Sequence, residues 1–315
     1  MAKDNETGTT RRQVLQCMAW GSAGLLWTVT GGVPRASALE RGVGEPGAKA
    51  AKDFTFIQVS DSHIGFNKPP NPEPDATLKE ALSRIASMKQ RPALMLHTGD
   101  VTQLSKPSEF DAAQGIMQTA GLETYYVPGE HDVINDDGKA FFERFGRNKK
   151  SGGWYSFNQG GVHFIGLVNV LNLKAGGLGY LGPDQIAWLG NDVKGLSAST
   201  PIVVFAHMPL WSLYPQWGWG TDDAAQALAH LKRFGSVTVL NGHIHQIMQK
   251  VEGKVTFQTA RSTAFPQPTP GDGPGPGPMQ IPADRLRTAL GIRQIDFGPK
   301  KPSKAPGIQD SALAG

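Results

Sequence analysis

Five short polar clusters carry the residue types that metal chemistry needs, and each follows a run of β-type apolar residues. They are Asp61-Ser62-His63, Gly99-Asp100, Gly129-Glu130-His131-Asp132, Ala206-His207 and Gly242-His243-Ile244-His245, and they hold five of the eight histidines. In the last cluster the two imidazoles lie at i and i+2, so they share one side of an extended segment, and Gly242 permits a tight bend before them. The plausible ligands are the carboxylates Asp61, Asp100 and Glu130 and the imidazoles His63, His207, His243 and His245. Seven donors exceed the needs of one zinc and suit two ions sharing a carboxylate. Mixed nitrogen and oxygen ligation favours two divalent transition-metal ions, Mn, Fe, Zn or Co, over Mg or Ca. Such a pair lowers the pKa of bound water, clamps phosphoryl oxygens and offsets developing charge, which is chemistry suited to attack on phosphorus.

These clusters can meet only if the chain folds so that strand ends converge. Residues 54–60, 93–98, 123–128, 201–206 and 236–241 read as strands, and each ends at a cluster. Residues 77–90, 108–120, 184–193 and 222–234 carry helical spacing of Leu, Ile, Ala and Met between them. That alternation predicts an α/β architecture, in which functional groups gather outside the carboxyl ends of strands. Further strands at 161–168, 246–252 and 254–259, the last two joined by a hairpin at Gly253, add antiparallel pairing to the βαβ part.

In order and context the clusters resemble the signature of the calcineurin-like metallophosphoesterases, Asp-x-His, Gly-Asp, Gly-Asn-His-Asp/Glu, His and Gly-His-x-His. The likeness runs from Phe54 to Thr259. It implies a four-layer fold, two mixed β-sheets packed as a sandwich and flanked by helices, with a dimetal centre at the strand ends. By position, Asp61, His63 and His245 would bind the first metal and His207 and His243 the second, with Asp100 bridging. His131 would be the motif histidine that protonates the leaving oxygen, and Asp132 would orient it. One position departs: Glu130 stands where the family pattern has Asn, and direct ligation by its carboxylate is the expectation, lowering the Lewis acidity of the second ion; the alternatives are ligation through water or a weakened second site that leaves one tightly held metal. The implied activity is metal-dependent hydrolysis of a small-molecule phosphoester, a phosphodiester in preference to a phosphomonoester. The alternative is a non-catalytic metal- or ligand-binding protein on the same scaffold. The Gly-Asp-x-x-Asp-Arg-Gly extension of the Ser/Thr protein phosphatases is absent, and no tyrosine follows Asp100 as in purple acid phosphatases.

The ends of the chain address its compartment. Arg11-Arg12 precede an apolar stretch at 14–33 and the small-x-small run Ala36-Ser37-Ala38, which reads as a twin-arginine signal over residues 1–38. Recognition by the twin-arginine export machinery and a periplasmic or secreted location are the expectations. Gln16, Thr28, Thr30 and several glycines make the stretch a poor anchor, so no membrane span is expected in the mature chain. Removing residues 1–38 takes Lys3, Arg11, Arg12 and Arg35 against Asp4 and Glu6, and lowers the formal charge from +4 to +2. A nearly neutral chain argues against stable nucleic-acid binding. The single cysteine, Cys17, lies in the signal, which excludes thiolate ligands and disulfides afterwards. Residues 39–53 read as a linker, 54–297 as one domain containing a Pro/Gly-rich segment at 266–282, and 298–315 as a disordered polar tail.

The remaining histidines read as structural: His97 and His163 lie inside strand patterns, and His230 sits on a helix. After His207, a run containing Trp211, Tyr214, Trp217 and Trp219 either walls the site or packs beneath its own loop. Phe66-Asn67-Lys68 offers an amide and a cation to phosphate, or is a solvated turn before Pro69-Pro70.

Overall fold

The computed structural model describes residues 54–148, 152–298 and 306–314, together with the backbone of 25–30 and 33–38. The latter two segments, β1 (Leu25–Thr30) and β2 (Val33–Ala38), form an antiparallel ribbon of their own. Arg11-Arg12 and the expected linker lie outside the described residues.

Short runs rich in Val, Ile, Leu and Phe build two mixed sheets, because continuous apolar strands are stable only when both faces are covered. The first contains β3 (Phe54–Val59), β4 (Met95–His97), β5 (Thr124–Tyr126), β12 (Gly291–Phe297) and β13 (Gly307–Ala312), in the order β13-β12-β3-β4-β5. Its β3, β4 and β5 are parallel, and β12 runs antiparallel to both β3 and β13. The second contains β6 (Tyr155–Gln159), β7 (Val162–Gly166), β8 (Ile202–Phe205), β9 (Val237–Asn241), β10 (Met248–Glu252) and β11 (Val255–Thr259), in the order β10-β11-β9-β8-β7-β6. Here β7, β8, β9 and β11 are parallel, and the two edge strands are antiparallel.

The sheets pack face to face through Phe56, Leu96 and Ile295 from one and Phe164, Val203 and Phe205 from the other. Phe56 and Phe164 meet edge to face at 5.3 Å. Helices α1 (Pro74–Ala86), α2 (Pro107–Gln118), α3 (Lys139–Phe145) and α6 (Ala283–Ala289) contribute Leu78, Phe110, Phe141 and Leu286 to the outer core of the first sheet. Helices α4 (Pro183–Val193) and α5 (Ala224–Ala229) cover the second with Leu189 and Ala227. Proline opens α1, α2 and α4, where its missing N–H costs no helical hydrogen bond. The result is the expected four-layer sandwich. Each fully buried Phe or Leu in these layers contributes about 1.5–3 kcal/mol through removal of apolar surface from water.

The polar tail is a correction. Residues 307–312 are an edge strand, not a disordered segment, and Leu313 beyond them is buried. The strand lacks apolar alternation. What holds it is a paired charge: fully buried Arg293 on β12 binds Asp310 through Nε (2.8 Å) and Nη2 (2.9 Å), and its Nη2 also donates to the Thr259 carbonyl at the end of β11 (2.9 Å). One guanidinium thus ties the C-terminal strand to both sheets. Among the described residues, no helix is long and apolar enough to cross a membrane.

Asp310→Ala strands the buried guanidinium and is expected to lower stability by about 3 kcal/mol in denaturant unfolding. Arg293→Met combined with Asp310→Leu should recover most of that loss, because it removes the buried charge with its partner.

Candidate metal centre

Five polar clusters leave the carboxyl ends of β3, β4, β5, β8 and β9, and the backbone turns sharply as each chain leaves its strand. Of the seven non-glycine residues with positive φ among the described residues, five lie here: Asp61 (53°), His63 (41°), Asp100 (50°), His243 (71°) and His245 (52°). The left-handed region costs on the order of 1–3 kcal/mol for such residues and persists only where the surroundings over-determine it. The glycines of the clusters allow close approach. A Cβ at Gly129 would lie 2.1 Å from Asp100 Oδ1, one at Gly242 2.2 Å from Ser60 Oγ, and one at Gly99 2.5 Å from His207 Nδ1.

Two groups of donors result. In the first, His245 Nε2 lies 3.4 Å from Asp61 Oδ1 and 3.3 Å from His63 Nε2. In the second, Glu130 Oε2 lies 2.8 Å from His207 Nε2, Glu130 Oε1 lies 3.0 Å from His243 Nδ1, and the two ring nitrogens are 3.3 Å apart. Asp100 Oδ2 faces both, at 3.5 Å from His63 Nε2 and 3.4 Å from His207 Nε2. Donors bonded at about 2.1 Å to a tetrahedral ion stand roughly 3.4 Å from one another, so the first group and Asp100 are spaced to hold one. Asp61 Oδ2 is buried without a hydrogen-bond partner, as an oxygen aimed at a cation would be. The first group with Asp100 therefore fits one ion, and Glu130, His207 and His243, closer together at 2.8–3.3 Å, are a donor set that could hold another; Asp61, His63, His245, Asp100, Glu130, His207 and His243 are the side chains that could serve.

Neighbouring groups fix the ring nitrogens. His207 Nδ1 donates to the Thr98 carbonyl (2.8 Å) and His245 Nδ1 to the Phe265 carbonyl (2.6 Å), which leaves each Nε2 lone pair facing the centre. Gln267 donates to the His243 carbonyl (2.8 Å), and Ser262 Oγ to the Asp61 carbonyl (2.7 Å). These positioning residues carry no local cue in the sequence. Phe265 and Gln267 belong to a stretch that resembles a loop, and only their return to the strand ends gives them a role.

Charge is concentrated at the centre. Burial would raise the Asp61 pKa, but His245, His207 and His63 together hold it below the usual carboxylate range. Burial likewise opposes ionisation of Glu130, and His243 and His207 reverse the effect, leaving its pKa well below the ordinary value. Burial depresses His63 to about 3, so it is a neutral donor. His207 is pulled the other way: the Asp100 and Glu130 carboxylates overcome burial and raise it well above its ordinary value. Metal binding would have to displace that proton.

The third cluster divides its labour differently from the expectation. His131 N donates to Asp100 Oδ1 (2.9 Å), and His131 Nδ1 lies 2.7 Å from the Gln103 carbonyl, so Nε2 is the free nitrogen. Its ring meets that of His63 edge to face at 4.9 Å. Asp132 does not orient the His131 ring. Its fully buried carboxylate accepts from Val101 N (3.0 Å), Thr102 N (2.8 Å), Thr102 Oγ1 (2.9 Å) and Gly129 N (3.0 Å), clamping the loop after β4 to the loop after β5. Gln103 is the residue that orients the imidazole. Burial and the Asp100 carboxylate push Asp132 up to about 7, while its backbone donors pull it down.

Other polar features lie apart from the chemistry. His97 Nε2 is 3.0 Å from Ser62 Oγ, and His163 lies between Asn158 and Asp192 at 2.8 Å from each, both as structural side chains. His230 is exposed. Trp211 and Trp219 pack beneath their loop, Trp211 against Phe257 at 5.3 Å, whereas Tyr214 and Trp217 are partly exposed. Phe66 is buried against Phe265, with Asn67 and Lys68 left exposed in the turn.

With this geometry established, comparison with known proteins is consistent at each level. Residues 54–247, more than half of the chain, match the calcineurin-like phosphoesterase family. A 3′,5′-cyclic-nucleotide phosphodiesterase from Nostoc sp. is 25% identical over 219 residues, covering 67% of this chain and 79% of the relative. A probable glycerophosphodiester phosphodiesterase from Arcobacter nitrofigilis is 22% identical over 226 residues, covering 65% and 77% respectively. Among solved structures, a dimetal phosphatase from Danio rerio superposes with a TM-score of 0.58 at 12% identity, covering 83% of this chain and 99% of that one. At that identity the likeness is one of fold.

Proposed function

The chain belongs to the calcineurin-like phosphoesterase family, and from that premise we propose that it hydrolyses phosphodiesters at a two-ion centre. Asp61, His63 and His245 would hold one ion and Glu130, His207 and His243 the other, with Asp100 available to both. The observation that carries this reading is Asp100 Oδ2, which stands 3.5 Å from His63 and 3.4 Å from His207, between two separate donor groups. When bound, the ions supply Lewis acidity toward phosphoryl oxygens and a lowered pKa for water. The chain's own residues do the rest. Gln103 holds His131 by Nδ1, so Nε2 delivers a proton to the departing alkoxide as water oxygen bonds to phosphorus and the ester P–O bond breaks. The products are a phosphomonoester and an alcohol.

Glu130 supports a diester in preference to a monoester. Three carboxylates offset three of the four positive charges that two divalent ions bring, whereas Asn at this position would leave two uncompensated. A lower residual charge favours a monoanionic diester over a dianionic monoester. The names of the relatives from Nostoc sp. and Arcobacter nitrofigilis, both phosphodiesterases, support the same choice. Export by the twin-arginine route belongs to the same proposal and rests on Arg11-Arg12 and the segment that follows them.

Turnover of bis(p-nitrophenyl) phosphate exceeding that of p-nitrophenyl phosphate, with Mn, Zn, Fe or Co supplied, is the expected result; absence of turnover with every metal while ions stay bound would overturn the reading. Glu130→Ala should lose about one ion per chain by elemental analysis, and unchanged metal content would remove Glu130 from the ligand set. His131→Ala should retain its metals and slow alkyl diesters by about 10²–10⁴-fold. Its effect on bis(p-nitrophenyl) phosphate should be far smaller, since nitrophenolate leaves without a proton; equal losses on both would rule out the acid role. Replacing Arg11 and Arg12 with lysine should leave the protein in the cytoplasmic fraction of an exporting bacterium, and undiminished periplasmic recovery would contradict export.

A further inference from the structure

Exposed apolar side chains are not scattered over this molecule. Among the described residues four large ones are exposed: Leu104 (41%), Ile134 (55%), Leu173 (43%) and Ile247 (40%). Each lies on a loop that leaves the carboxyl end of a strand, respectively β4, β5, β7 and β9. Those are the ends at which the metal-binding clusters gather, because β3, β4 and β5 run parallel in one sheet and β7, β8 and β9 in the other. Among the described residues, the opposite ends of these strands carry none. Isolated apolar residues on a surface need no explanation, but their confinement to one rim does.

Hydrogen bonds hold each of these loops to a neighbouring segment. Asn135 Nδ2 donates to the Leu104 carbonyl (2.6 Å), and Ile134 N donates to Ser105 Oγ (3.1 Å), so the segments bearing Leu104 and Ile134 are joined. Ser105 Oγ in turn donates to the His131 carbonyl (2.6 Å). Ile247 follows His245 by two residues, and its neighbour Gln246 is tied to the Gln267 (3.0 Å) and Pro268 (2.6 Å) carbonyls. Leu173 stands on the loop that bridges through Gly179 to Thr221 in the loop after β8. A substrate whose phosphorus lies at the metals must send its ester groups out between these loops.

We propose that the aliphatic collar formed by Leu104, Ile134, Leu173 and Ile247 receives an alkyl chain, so that the substrate is an amphiphilic phosphodiester carrying a long apolar alcohol. This inference rests on the two-ion phosphodiesterase reading above. The collar is aliphatic and distributed among four loops, which suits a flexible chain. Tyr214 and Trp217 are packed edge to face with each other at 5.2 Å, and Trp217 with Trp219 at 5.2 Å, so these rings are held within their own loop. The collar side chains are aliphatic and carry no acid, base or nucleophile, so they would set which ester is accepted and leave the bond-breaking step alone.

The test uses the metal-loaded full chain and two measurements. In the first, methyl, butyl and octyl p-nitrophenyl phosphates, which share a leaving group, are compared below their aggregation limits. From methyl to octyl, kcat/KM should rise about ten-fold, as burial of roughly two methylenes would give. Leu104→Ser with Ile134→Ser, and separately Ile247→Ser, should flatten the rise, read as the ratio of octyl to methyl kcat/KM within each variant. In the second, dioctyl and dimethyl phosphate are titrated calorimetrically as ligands, so that binding is read without turnover. Dioctyl phosphate binding no tighter than dimethyl phosphate, or serine variants that keep the full chain-length dependence, would overturn the collar. Failure to turn over any ester while dioctyl phosphate still binds more tightly would sink the hydrolytic reading and leave the collar standing.

Discussion

Everything in this fold is arranged around one electrostatic liability: three carboxylates and four imidazoles from five loops converge in overlapping groups whose donor atoms lie within 4.8 Å, nearly all of them buried. Such a cluster has no reason to form from hydrophobic packing, and its backbone carries several strained turns at the same time. The sandwich makes it possible. Parallel strands in both sheets present their carboxyl ends to one edge, so each loop needs only a few residues to reach the centre, and the stiff strand below it absorbs the strain. The stability that offsets the cost lies in the layers between and outside the sheets, far from the chemistry.

The sequence made the donors legible because metal ligation needs particular residue types and the strand ends repeat one context. Asp61, His63, Asp100, His207, His243 and His245 could be read from type, order and flanking apolar runs alone, and the central strands followed from their Val, Ile and Leu content. Elements stabilised by distant partners could not be read. The strand at 307–312 is polar, and it exists because Asp310 finds Arg293 from 17 residues away. Asp132 was legible as a candidate site residue but not as a clamp, since a carboxylate that accepts four hydrogen bonds, three of them from a distant loop, looks in sequence like one that orients its neighbour. Phe265 offers only a carbonyl, and a backbone atom leaves no trace in residue type.

Glu130 shows how a single departure from a pattern acquires meaning through geometry. In sequence it was one methylene longer than Asn and negatively charged. In the structure its two oxygens reach two different histidines, at 2.8 and 3.0 Å, a span that the single amide oxygen of Asn would not match. The extra length lets the side chain meet both rings from the loop after β5, and the extra charge changes the balance at the centre. Length and charge thus act on different properties, one on reach and one on preference among anions.

The Asp132 clamp has a consequence for the life of the protein without its metals. Because the amides of Val101, Thr102 and Gly129 are already anchored to one buried carboxylate, the loops that bear Asp100 and Glu130 hold their shape through hydrogen bonds that involve no ion. Small metal-folded domains collapse under chelation, since for them binding energy is folding energy. In these loops the two quantities are separated: hydrogen bonds within the polypeptide supply the scaffold, and only the ligand side chains are left for an ion to order.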